Sequence, residues 1–136
     1  DLRRDAPYPP YDHLKFRVPV RYEGDAWART LVRMLETVES VHLCRQILTA
    51  LPDGPTAARA KRRVPAGEVV SRAEAPRGEV VYYIRSDGSD KPARVKVRTP
   101  TLTNLIILPD QLQNISMADV SVVLSGVDLC IACADR

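Results

Sequence analysis

An α+β arrangement is the fold class that the sequence predicts, with one long amphipathic helix and two shorter helices packed around a small antiparallel β-hairpin or sheet. Three observations predict it. Apolar residues recur at helical spacing over 26–51, stretches rich in Val, Tyr and Ile follow over 68–98, and two shorter helical patterns close the chain. With 136 residues, 45% of them hydrophobic and 27% charged, the chain is long enough for one domain with a core and too short to promise two. We therefore expect a single domain over 1–136, with an extended arm (1–23), a helix (25–51), a β region (67–99) and a helical tail carrying two cysteines (100–136).

Each element has its own reason. Pro7, Pro9, Pro10 and Pro19, set among Tyr8, Tyr11 and Phe16, oppose a helix in the arm and favour an extended run that lies on a body. Trp27, Leu31, Met34, Leu35, Val38, Val41, Ile47 and Leu48 then trace the i, i+3, i+4, i+7 pattern of an amphipathic helix. Gly24 and Asp25 suit its N-cap, and the run Pro52, Asp53, Gly54, Pro55 stops it. Near its end, His42 and Cys44 stand two positions apart and so point to different faces, a poor geometry for a joint metal site. Cys44 is expected to act as a small core hydrophobe. The basic run Arg59, Ala60, Lys61, Arg62, Arg63 reads as a solvated loop, its sharper reading being a contact with an acidic partner or lipid headgroups.

Residues 68–72, 79–85 and 93–98 read as strands, the last two forming a hairpin across a loop over 86–92. Val95 and Val97 alternate with Arg94, Lys96 and Arg98, so one face of that hairpin is wet or meets a polar partner. Residues 101–112 and 116–124 read as the shorter helices. Pro100 precedes the first and Asn104 lies inside it; Ser116 caps the second and Asp119 sits in its first turn.

Composition narrows the function classes. A formal charge of +3, spread along the sequence without a basic stripe interleaved with aromatics, argues against nucleic acid as a partner. No apolar run approaches the roughly 20 residues that span a bilayer, and the first residues lack a secretory layout. Three cysteines, two of them in Cys-x-x-Cys spacing, favour metal or redox chemistry in a reducing compartment over a disulfide framework. A first residue Asp1 without an initiator Met suggests a fragment, a processed product or a trimmed chain.

The pair Cys130 and Cys133 carries the chemistry. A Cys-x-x-Cys turn brings both sulfurs to one side, where they can hold one soft metal ion. A four-thiolate centre needs two more ligands, and Cys44 is the only other cysteine, so this chain supplies half a site at most. A structural zinc on the pair, in a non-catalytic interaction module, would need His13, His42, Cys44 or a second chain, and the spacing matches no standard finger.

A longer series of residues bears a resemblance. Asp1 to Tyr8, Tyr11-Asp12, Val18-Pro19-Val20, Gly24-Asp25, then Ser71 to Glu79, Ser86 to Ser89, Lys91-Pro92, Arg94 to Arg98 and Pro100 occur in an order and at spacings that fit one superfamily. The chain resembles the C-terminal portion of the superfamily that unites the 49-kDa subunit of respiratory complex I with the large subunits of membrane-bound, energy-converting nickel-iron hydrogenases. Hydrogenases of that superfamily end in Asp-Pro-Cys-x-x-Cys-x-x-His/Arg, which complex I members have lost. The run from Asp128 to Arg136 is similar to the hydrogenase version, with Leu129 in place of the proline.

By that resemblance Cys130 would be a terminal nickel thiolate that can accept a proton, and Cys133 would bridge nickel and iron. Arg77, in the run Glu74 to Gly78, would hang over the open metal site and polarise dihydrogen; on the bland reading it is a buried ion pair with Glu74 or Asp128. Thr101, after Pro100, would donate a hydrogen bond to cyanide on the iron. Arg136 would coincide with the end left when a maturation protease removes an extension. The implied cofactor is a nickel-iron centre in the full subunit, not stably held by this chain alone, which is therefore expected to be inactive by itself. The implied partners are the other half of the large subunit, a small iron-sulfur subunit and membrane subunits, on the cytoplasmic side of the membrane. An alternative within the superfamily is a 49-kDa-like part of an NADH:quinone oxidoreductase that helps form a quinone cavity. An apolar surface that meets the other half would also make the isolated chain prone to self-association.

Overall fold

The computed structural model describes residues 1–60 and 63–135. It opens with a short helical turn, α1 (Leu2–Asp5), and a 3-10 turn (Tyr11–His13). The arm is thus less extended than its prolines suggested. The first of them is Pro7, so the preceding residues are free to turn, and the Asp1 carboxylate caps them by accepting the Arg3 N–H at 3.0 Å. The Arg3 guanidinium then lies over the Tyr11 and Phe16 rings, 5.7 and 5.1 Å from their centroids. Beyond Leu14 the arm is extended and lies along the next helix.

That helix, α2 (Ala26–Ala50), starts where Asp25 accepts the Ala28 N–H at 2.7 Å and stops at extended Leu51, just before Pro52. Two side chains of α2 hold the arm. Gln46 exchanges hydrogen bonds with the Lys15 backbone, accepting at 3.0 Å and donating at 2.7 Å. Glu39 accepts from the Arg17 N–H at 3.2 Å and from its guanidinium at 3.1 and 3.2 Å. Cys44 is exposed, against the expectation of a core position. The inner face of the helix is taken by Leu43, and one residue further along an α-helix turns the side chain about 100° away.

The sheet is an antiparallel meander of β1 (Gly67–Ala75), β2 (Gly78–Ser86) and β3 (Pro92–Arg98) in the order β1-β2-β3. The first strand runs three residues beyond its expected end, and Pro76 and Arg77 alone link it to β2, with Ala75 opposite Gly78. Gly78 supplies a backbone φ of +123° that a side chain would resist. Across the other edge the loop is short, because pairing continues to Ser86 and Pro92 after a shift of register at Arg85 and Ser86. Val69, Ile84 and Val95 share one face; Glu68, Arg85 and Arg94 share the other.

Three helices follow. Pro100 starts α3 (Pro100–Gln111), where the missing N–H costs nothing, and Pro109 lies in its last turn. The Ser116 hydroxyl accepts the Ala118 N–H and caps a 3-10 turn (Met117–Asp119) that runs into α4 (Val120–Val127). Asp128 ends α4 in the left-handed region, φ 54°, and the turn α5 (Ile131–Ala134) carries Cys133. Helix α4 packs on α2, so that Ala28, Val123 and Val127 form a small core, with Leu43 buried further along α2. Among the described residues no helix is long and apolar enough to cross a membrane.

The arm clasp is pH-sensitive in a defined direction. The Arg17 N–H bonded to Glu39 holds its carboxyl below the usual carboxylate range, against some desolvation and with help from the Arg17 side chain and His42. Because the folded-state value is lowered, the contribution is present above the ordinary value of 4.5 and is lost as pH falls through the lower, folded value. Hydrogen exchange at Arg17 is expected to accelerate as pH drops below about 4.5 after correction for intrinsic rates, and Glu39→Ala, which removes the acceptor, should show fast exchange already at neutral pH. Equal protection in both proteins at pH 7 would sink the clasp.

Candidate functional site

The tight turn at Pro76 and Arg77 is where the elements converge. An ideal Cβ on Gly78 would come within 3.3 Å of Pro100 Cβ, so the start of β2 sits hard against the first turn of α3. One turn into α3, the Asn104 amide donates to the Arg77 carbonyl at 3.1 Å. From α2, Arg33 donates to the Pro76 carbonyl at 2.8 Å, to Gly126 O at 3.2 Å and to Val127 O at 3.5 Å. One guanidinium therefore ties the long helix to the hairpin turn and to the carbonyl end of α4 at once. A cation is favoured there, since the last carbonyls of a helix carry partial negative charge.

Arg77 points its own guanidinium the same way. Its Nη2 lies 2.9 Å from Asp128 Oδ2, and its Nε donates to the Asp128 carbonyl. Of the two ion-pair partners the sequence allowed, the structure selects Asp128. Glu74 is occupied elsewhere: its carboxylate accepts the Leu2 N–H at 2.9 Å and its N–H donates to the Tyr8 hydroxyl at 3.0 Å. Nor is the pair buried, because Arg77 keeps 27% and Asp128 45% of their side-chain surface.

Asp128 also delivers the cysteines. Its left-handed backbone, which Asp tolerates better than most residues, redirects the chain after α4. Cys130 then stands just before α5, its carbonyl accepting the Cys133 and Ala134 N–H groups at 3.0 and 3.1 Å. The Thr99 hydroxyl donates to the Cys133 carbonyl at 2.8 Å and so holds the tail against the start of α3. Both thiols are half-buried. The Cys130 thiol is pulled below its ordinary value, first by a side-chain hydrogen bond from Cys133 and then by the Cys133 N–H, with the Arg77 charge and the Ala132 N–H adding less and desolvation opposing. The structure thus brings Arg77, Cys130, Cys133 and Asp128 together.

Thr101 lies two residues beyond that Thr99 tether. It is 1% exposed, and its hydroxyl finds no hydrogen-bond partner among the described residues. The other candidate ligands stay apart. His42 faces Glu39 at 3.9 Å, His13 faces Asp12 at 3.4 Å, and no group of three or more His, Cys, Asp or Glu suited to a metal occurs among the described residues. Arg136, and Lys61 and Arg62 of the basic run, lie outside the described residues. Two adjacent thiols, one with its thiolate form favoured, fit a soft metal as half of a four-thiolate set, and the remaining donors would have to come from outside this chain. The sequence reading missed Arg33, Thr99 and the carbonyl cap by Asn104. Only Asn104 left a trace, as a poor helix former inside an apolar helical stretch.

Residues 1–64 and 57–136 match the family described as the respiratory-chain NADH dehydrogenase 49 Kd subunit. The chain belongs to that family. It is 41% identical over 136 residues to the carbon monoxide-induced hydrogenase of Rhodospirillum rubrum, covering all of this chain and 38% of that protein. It is 39% identical over 138 residues to a subunit of the NADH-quinone oxidoreductase of Dehalococcoides mccartyi, with the same coverage. Among solved structures, one subunit of the membrane-bound sulfane sulfur reductase, an archaeal respiratory membrane complex, superposes with a TM-score of 0.87 at 35% identity, over all of this chain and 39% of that one. The chain spans about two-fifths of the length of these relatives. The superfamily resemblance read from the sequence is borne out, and these relatives are oxidoreductase subunits by name.

The Arg33 hub can be tested by itself. Arg33→Met keeps the apolar stem and removes three donated bonds, so it is expected to lower stability by about 2 kcal/mol. The readout is the urea midpoint at unchanged slope; a loss under about 0.5 kcal/mol would mean that the hub does not tie these elements.

Proposed function

We propose that this chain is the C-terminal segment of the catalytic large subunit of a membrane-bound, energy-converting nickel-iron hydrogenase, and that it supplies half of the thiolate ligands. The observation that carries this reading is the juxtaposition of Cys130 and Cys133 with Arg77, itself anchored on Asp128. Identity to a protein named as a hydrogenase supports it. In this reading Cys130 and Cys133 hold the metals, with donors from the rest of the subunit completing the set. A nickel-iron centre, when bound, supplies the heterolytic splitting of dihydrogen.

The chain's own residues then have defined tasks. Cys130 Sγ, biased toward thiolate, takes up a proton and returns it, which needs a sulfur whose two protonation states lie close in energy. Arg77 keeps a permanent positive charge beside that sulfur and favours its anionic form. Asp128 fixes where that charge sits. Thr101 offers a desolvated hydroxyl, whose hydrogen bond to an iron-bound cyanide would orient the metal group. The subunit works with a small iron-sulfur subunit and membrane subunits, peripherally on the cytoplasmic side.

A second reading rests on the relatives named as NADH-quinone oxidoreductase subunits, which match this chain at nearly the same identity as the hydrogenase, 39% against 41%. In it the thiols are relics and the segment helps form the quinone cavity of a complex I relative.

Nickel and iron analysis of the intact complex separates the two. We expect nickel in the wild-type complex, and its loss, together with hydrogen turnover, in both Cys130→Ser and Cys133→Ser. A complex that holds no nickel, and whose serine variants reduce quinone at the wild-type rate, would replace the hydrogenase reading by the second; zinc alone would point to a structural module.

A further inference from the structure

We infer that Thr99 is a positioning residue for the thiolate pair: its hydroxyl sets Cys133 against Thr101, so that one short segment spaces the two groups that would meet the iron. The inference deepens the hydrogenase reading and rests on it. Its own ground is the run Thr99, Pro100 and Thr101, in which all three residues are buried. Nowhere else among the described residues are even two neighbours in sequence both buried. Thr99 and Thr101 are also the buried polar residues there, and a hydroxyl taken out of water costs free energy unless it has a partner.

Thr99 does not use its hydroxyl as its place in the fold suggests. It is the N-cap of α3, where a threonine ordinarily accepts an N–H of its own helix. Here it makes no such bond, and the hydroxyl donates instead to the Cys133 carbonyl at 2.8 Å, 34 residues further along the chain. The helix forgoes a cap and the cysteine turn gains a tether. That tether is stiff at both ends. Pro100 holds Thr99 in extended backbone, φ −99° and ψ 152°, and a β-branched side chain has few χ1 choices. Pro100 is itself pressed by the start of β2, where an added Cβ on Gly78 would come within 3.3 Å of it. Thr101 follows directly, 1% exposed and with its hydroxyl unpartnered among the described residues. At the other end the Cys133 N–H donates to the Cys130 carbonyl at 3.0 Å, so holding Cys133 holds the turn of the pair.

In the hydrogenase reading Cys133 bridges to the iron and Thr101 meets a cyanide on it. Thr99 touches neither metal nor cyanide; it acts by orienting a ligand from behind, as groups outside a metal's ligand set do. The test uses the intact complex with Thr99→Val, which keeps the shape and removes the hydroxyl. Amide exchange at Ala134 and Asp135, whose N–H groups close the turn, is expected to quicken about fivefold, with the α2 amides unchanged as the check on folding. Nickel retained against a chelator should fall about tenfold, and the infrared bands of iron-bound cyanide should move. Thr99→Ser restores a donor and should return all three readouts to wild type. Thr101→Val should move the cyanide bands and leave exchange at Ala134 and Asp135 alone, which separates the two hydroxyls. Wild-type bands and exchange in Thr99→Val, or no rescue by Thr99→Ser, would overturn the inference and leave the hydrogenase reading standing. A wild-type complex with neither nickel nor cyanide bands would bring down that reading and the inference with it, whatever the exchange shows.

Discussion

The Arg33 guanidinium is the constraint on which the described structure turns. Its donors reach carbonyls at Pro76, Gly126 and Val127, segments that lie 43 to 94 residues away along the chain. Few apolar contacts could replace it, because the buried hydrophobic set is only Ala28, Leu43, Val123 and Val127 among the described residues. Where a core is that small, directional bonds from a permanently charged fork decide how elements are placed. The two carbonyls on α4 immediately precede Asp128, and the carbonyl on the hairpin immediately precedes Arg77. Fixing the carbonyls therefore fixes the origins of the two side chains that form the ion pair. The candidate site inherits its geometry from a residue that is not part of it.

The electrostatics of the site follow from what Asp128 does to Arg77. A guanidinium already paired with a carboxylate has much of its field cancelled, and this pair is open enough to water for further screening. The Cys130 thiolate is favoured first by the Cys133 hydrogen bonds, and the Arg77 charge adds to them. The turn around the cysteines does more than the cation beside them. The ion pair, for its part, holds Arg77 in place.

Much of this fold was legible and the reasons are local. The Asp25 cap, the Pro52 stop and the apolar period of α2 are signals within a few residues of the feature they mark, and the helix follows them closely. The two-residue turn at Pro76 and Arg77 was not legible, because neither residue is a usual hairpin signal and the required positive φ falls on Gly78, one place later. Cys44 misled for another reason. Periodicity tells which residues share a face but not how many faces are covered, and here one turn of the helix carries both buried Leu43 and exposed Cys44. The site shows the same split. The Cys-x-x-Cys spacing and the Arg77 segment stand out in the sequence, whereas Arg33 reads as one more polar residue on an amphipathic helix. Its importance comes from tertiary contacts with Pro76, Gly126 and Val127, which no window along the chain contains.

The two faces of α2 explain how one helix can be both well specified and incompletely buried. Capping and the proline stop determine where it begins and ends, and those signals are local. Burial determines what it is worth, and here only the inner face is covered, by α4 and the arm. The arm itself is clasped mainly through polar contacts at Gln46 and Glu39. Polar clasps orient a segment but add little net stability, since each bond replaces one to water. The apolar area that could stabilise α2 strongly lies on the other face, away from α4 and the arm. The helix is thus placed by its caps, by α4 and by the polar clasps on the arm, and through Arg33 it places the hairpin turn and the end of α4 in turn.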